Sequence, residues 1–79
     1  MANSRVMITK DELVEKAIKA MENAMAYLSL RNESMFYLDW GEASAYEDML
    51  TEYFNCYLDE ENEHYARMLE LANEAKFED

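Results

Sequence analysis

The sequence contains no proline and a single glycine, Gly41. Those two residues are the usual interrupters of regular backbone, so the chain has few places where it is built to turn. Long helices are the natural expectation, and the abundance of Ala, Glu, Leu, Met and Lys agrees with it. Valine is scarce, present only as Val6 and Val14. No apolar run approaches the ~18 residues of a membrane span, and no charged-then-apolar leader precedes a small-residue cleavage site. The one cysteine, Cys56, has no partner for an internal disulfide, which fits a reducing compartment. A soluble, cytoplasmic chain is therefore expected. Gly-rich phosphate loops and Ser-His-Asp sets are also missing.

Positive charge is absent from a long stretch. Residues 33–66 hold ten Asp or Glu and no Lys or Arg, whereas residues 1–32 carry a net charge of +1 and residues 67–79 a net charge of −2. A field of this sign repels phosphate backbones, which argues against direct binding to DNA or RNA. It attracts cations or a basic protein surface.

What is present organises into two helical patterns. Thr9-Lys10-Asp11-Glu12 has the form of a capping box, with Ile8 and Leu13 at the positions of a hydrophobic staple. Beyond it Leu13, Val14, Ala17, Ile18, Met21, Ala24, Met25 and Leu28 recur at spacings of three and four and cover about half of a helical wheel. Glu15, Lys16, Lys19, Glu22 and Asn23 take the other half, with Glu12 and Lys16, and Glu15 and Lys19, as favourable pairs one turn apart. The same face continues through Arg31, Met35 and Leu38, so one helix over about 9–38 is expected, with a break at Arg31–Ser34 as the competing possibility. A turn is placed at Asp39-Trp40-Gly41, followed by a second capping box from Ser44 and Glu47. Trp40 would anchor that turn or an interface.

From there Tyr46, Leu50, Tyr53, Phe54, Tyr57, Leu58, Tyr65, Met68, Leu69, Ala72 and Ala75 keep one phase, which predicts a single helix over about 43–76. The termini, Met1–Met7 and Phe77–Asp79, are expected to fray. The fold class expected is all-α, one domain over 1–79. Its form is an antiparallel two-helix hairpin, with a three-helix bundle as the alternative. Two helices side by side cover only a narrow seam of such wide apolar faces. A homo-oligomer follows, with two hairpins pairing into a four-helix bundle.

On the second pattern Glu61 and His64 fall within the apolar sector, three residues apart on one face. A Glu facing a core is costly unless it is paired or coordinated. Glu-x-x-His at this spacing is how helical bundles present a carboxylate and an imidazole to iron or manganese. Cys56 reads as a small packing residue beside that sector. The Tyr and Phe residues read mostly as core at helical spacing; Tyr57 or Tyr65 could lie near a metal, with nothing to single out either.

Residues 59–70, with the acidic run, Glu61-x-x-His64 and Leu69-Glu70, resemble the second metal-binding helix of ferritin-like proteins. The likeness is nearest to the encapsulated ferritins, and extends through Leu50-Thr51 and Asp39-Trp40. That resemblance implies a short hairpin that assembles a four-helix ferroxidase bundle across a dimer interface, housed in an encapsulating shell and oxidising Fe²⁺. It also implies a further Glu on the first helix, about thirty residues before Glu61. An ungapped alignment places Arg31 there, where it would pair with Glu61 in place of a metal. Aligning Asp39-Trp40 instead gives Ser34, with Glu33 beside it as the candidate third ligand. The reading from a different class is a non-catalytic acidic interaction protein, an inhibitor or nucleic-acid mimic that docks a basic partner. Glu61 and His64 converge in a cavity under the first reading and scatter on a solvated face under the second.

Overall fold

The computed structural model describes residues 8–77. The described chain is all-α: α1 spans Lys10–Ser29, α2 Glu33–Phe54, α3 Leu58–Glu61 and α4 Glu63–Asn73. The capping box at the start of α1 is present in full. Glu12 N–H donates to Thr9 Oγ1 at 3.1 Å, and Thr9 N–H donates to Glu12 Oε1 at 3.0 Å. The bond from the Thr9 N–H, and then one from the Thr9 hydroxyl to the same Oε1 at 3.1 Å, hold the Glu12 carboxyl below its ordinary range.

The first helix stops nine residues short of the expected Leu38, and the break falls at Leu30–Asn32, overlapping the Arg31–Ser34 break given as the competing possibility. Arg31 takes the left-handed conformation at φ 58°, which L-residues other than glycine and asparagine seldom adopt. Asn32 N–H then bonds back to Tyr27 O at 2.9 Å, and Arg31 N–H to Leu28 O at 3.1 Å. This is a Schellman closure built without glycine. Asn32 caps the next helix at once, its Oδ1 accepting from Met35 N–H at 3.2 Å.

The turn expected at Asp39-Trp40-Gly41 is not there. These residues lie in the middle of the 22-residue α2, as do Ser44 and Glu47, so the second capping box is also absent. Gly41 sits on the outer side of α2 with nothing within 4 Å of where a Cβ would stand.

The helix expected over 43–76 is interrupted twice. Asn55, at φ 51°, closes α2 in the left-handed region, its N–H bonding to Thr51 O at 3.1 Å. The second break is Asn62, extended at φ −134° and ψ 108°, which ends α3 and caps α4 through Oδ1 to Tyr65 N–H at 2.9 Å.

The two long helices pack along one another, α2 turning back beside α1, and α4 lies against α1. Leu13, Ala17, Met21 and Ala24 of α1 are buried with Phe36, Ala43 and Leu50 of α2 and Tyr65, Met68 and Ala72 of α4. Burying each of the larger of these side chains is worth about 1.5–3 kcal/mol. Thus α4 supplies, within one chain, part of the cover that the hairpin argument assigned to a second copy. Phe77 packs its ring 5.3 Å from Phe36 and 5.8 Å from Tyr37, so it is held rather than frayed. Met1–Met7 and residues 78–79 lie outside the described residues.

Candidate functional site

The break at Asn62 decides the fate of the Glu61–His64 pair. Glu61 is the last residue of α3 and His64 the second of α4. With extended backbone between them, a spacing of three no longer means one helix face. Both are exposed, contrary to their expected place in an apolar sector. Glu61 accepts from the Tyr57 N–H at 3.2 Å through Oε2, and its Oε1 lies 3.8 Å from Lys10 Nζ. His64 Nε2 lies 3.0 Å from Glu22 Oε2 on α1. Glu33 opens α2 and is exposed beside the α1–α2 turn. There it lines an open cleft of about 1050 Å³ with Arg31, Leu71, Lys76 and Phe77.

Arg31 does not meet Glu61; its Nη1 donates to Lys76 O at 3.4 Å. Among the described residues, no group of three or more His, Cys, Asp or Glu is arranged to hold a metal ion. The structure therefore brings His64 to Glu22 and Glu61 to Lys10, and leaves Glu33 at another location. The pairing of His64 with Glu22 was not anticipated. It depends on how α4 crosses α1, which no local pattern encodes.

The acidic stretch is the larger feature. Of its ten carboxylates, Glu33, Glu42, Asp48, Glu52, Asp59, Glu60, Glu61 and Glu63 are exposed, Glu47 is half-buried and Asp39 is buried. Among the described residues only Glu61 of these ten has a Lys or Arg nitrogen within 4 Å. Glu47 accepts a hydrogen bond from the Tyr65 hydroxyl at 2.9 Å. Desolvation raises the Glu47 carboxyl above its ordinary range despite that bond, with Asp59 and Asp48 adding to the effect. Burial, and then the bond to Glu47, push the Tyr65 phenol well above its own range.

Aromatic residues on the expected core stripe divide. Tyr65 is fully buried, but Tyr53, Phe54 and Tyr57 are exposed around the α2–α3 corner, Tyr53 at 69 %. Tyr53 and Phe54 end α2, and the left-handed Asn55 after them turns Tyr57 out of phase; the asparagine itself was the available signal, since Asn tolerates that conformation better than most residues. Cys56, beneath them, is buried as expected of a packing residue, and burial pushes its thiol up. No helix among the described residues is long and apolar enough to cross a membrane. No family model, curated protein or solved structure matches the chain.

Proposed function

We propose that this protein is a non-catalytic acidic interaction module that docks a basic protein surface. One observation carries the reading: a stretch with ten acids and no Lys or Arg folds with eight of its carboxylates in solvent. A surface of one sign, with little internal compensation, steers an oppositely charged partner and disfavours phosphate backbones. The scatter of Glu61, His64 and Glu33 over three separate environments supports the same choice. Affinity capture from a cell lysate is the test, comparing the wild type with the variant Glu42→Lys/Asp48→Lys/Glu52→Lys. Basic proteins retained by the wild type, released by salt and lost on charge reversal are the expected result. Retention indifferent to charge reversal overturns the reading.

A second reading rests on the His64–Glu22 pair. An imidazole and a carboxylate already 3.0 Å apart on two helices are half of a ligand set for iron or manganese. A second copy of the chain would supply the rest, as the ferritin-like resemblance implies. Metal analysis of purified protein, run with a mass measurement, separates the two. The interaction reading expects no stoichiometric metal; iron or manganese bound in a dimer or larger assembly, and lost in His64→Ala, favours the ferritin-like one.

A further inference from the structure

The corner between α2 and α3 combines three features that attract the same chemical group. The first is exposed aromatic surface: Tyr53 is 69 % exposed, Tyr57 44 % and Phe54 37 %. The second is charge, with Glu52, Asp59 and Glu60, close to those aromatics in the chain, all in solvent and no Lys or Arg anywhere in residues 33–66. The third is the C-terminal end of α2, which closes a 22-residue helix with no basic side chain in its last turn. No basic side chain of α2 itself offsets the partial negative charge of that helix end, and the cation nearest the corner, Lys10 at the start of α1, is engaged with Glu61 at 3.8 Å.

Large exposed rings at a chain corner often reflect a loose loop. This corner is tied. Asn55 N–H bonds to Thr51 O at 3.1 Å and Cys56 N–H to Leu50 O at 3.0 Å. The Thr51 hydroxyl donates to Cys56 O at 3.3 Å, and the Tyr57 hydroxyl to Asn55 Oδ1 at 3.3 Å. Cys56 and Leu58, which flank Tyr57, are buried beneath it. The rings are held outward by a fixed frame, so little ordering cost remains to be met on binding.

We infer that this corner is the anchor point of the acidic surface, and that it takes an arginine-bearing segment of the partner. Carboxylates alone distinguish lysine from arginine only through the bidentate fit of the guanidinium fork. Aromatic faces add to that distinction: the planar, weakly hydrated guanidinium stacks on a ring while its edge donates to carboxylates, whereas an ammonium stays hydrated. Tyr53 is the ring placed to make that choice, being the most exposed of the three. The inference rests on the interaction reading above and adds to it a location and a side-chain preference.

The test uses the full chain and two fluorescent peptides, hexa-arginine and hexa-lysine, with affinities read by anisotropy at moderate salt. Three proteins are compared: the wild type, Tyr53→Ala, and the charge variant Glu52→Gln/Asp59→Asn/Glu60→Gln, each checked for an unchanged helical circular dichroism spectrum. The wild type should bind hexa-arginine more tightly than hexa-lysine. Tyr53→Ala should weaken hexa-arginine by about fivefold and erase most of the preference while leaving hexa-lysine nearly unchanged. The charge variant should weaken both. If the charge variant weakens both but Tyr53→Ala keeps the arginine preference, the anchor inference is overturned and the interaction reading stands. If the wild type binds neither peptide, the interaction reading itself fails. If Tyr53→Ala changes only the mass of the protein in solution, the corner is a contact between copies and the inference is likewise overturned.

Discussion

The first two helices are nearly equal in length and opposite in the way they spend their surface. α1 puts Leu13, Ala17, Ala20, Met21 and Ala24 into the core and keeps both signs of charge, Glu15, Lys16, Lys19 and Glu22, on its outer side. α2 buries Phe36, Asp39, Ala43 and Leu50, yet leaves Tyr37, Leu38 and Tyr53 exposed, and every charge on it is negative. A helix with one apolar stripe and balanced charge has a structural task. A helix apolar on its buried side, and both apolar and acidic on its outer side, has a second one. That contrast is the reason the proposed binding surface is put on α2 and its C-terminal corner rather than on α1.

The contrast breaks most visibly at Phe36 and Leu38. Phe36 is fully buried and Leu38 is 58 % exposed. Phe36→Ala should cost about 3–5 kcal/mol in urea denaturation, and Leu38→Ala no more than about 0.5 kcal/mol. Comparable losses would mean that the two faces of α2 have been assigned the wrong way round.

Gly41 gives the next largest effect, with the opposite sign. An added methyl meets nothing within 4 Å, so Gly41→Ala should stabilise the protein by about 0.5–1 kcal/mol, because alanine loses less backbone entropy in a helix. A rise in thermal midpoint is expected. A fall would indicate that the chain turns here after all.

Glu47 sharpens the comparison by pH and is the smallest effect. Its carboxyl is raised above the ordinary value of 4.5, chiefly by desolvation. The folded state therefore holds this proton more tightly than the unfolded chain does. Stability falls as pH rises from the ordinary value through the raised one, and the loss is complete above it. Glu47→Gln should accordingly melt higher than the wild type at neutral pH, with the difference shrinking towards zero below about pH 4.5. A constant difference across pH would show that the Tyr65 bond, not ionisation, governs this position.

α1 was legible because its signals agree: a capping box, a staple and an apolar stripe all point to one helix start and one buried face. All-helical architecture was legible from the missing proline and the single glycine. The other helix ends were legible only in part: a break at Arg31–Ser34 stood as the competing possibility, but the turn was placed at Asp39-Trp40-Gly41. Arg31 closes α1 in the left-handed region, where nothing in an arginine announces it, and Gly41, the one residue that does announce a turn, is simply an outward-facing helix position. Placing the turn about nine residues late carried the second helix with it. The stripe from Tyr53 through Tyr57 to Tyr65 kept its period in sequence while Asn55 and Asn62 reset the direction of the residues that follow each of them. The candidate site suffered from the same cause, since Glu61 and His64 share a face only if the backbone at Asn62 is helical.

Cys56 has a consequence for observing this protein over time. It is the only cysteine of the chain, it is 1 % exposed, and burial shifts its thiol away from the reactive thiolate. A thiol reagent added at neutral pH can reach it only when the α2–α3 corner opens. The rate of labelling is then a clock for that opening, read without any introduced probe and from the place where the aromatic rings are held outward. A ligand that grips the corner slows the clock; one that lands elsewhere on the acidic surface leaves it running at the same pace.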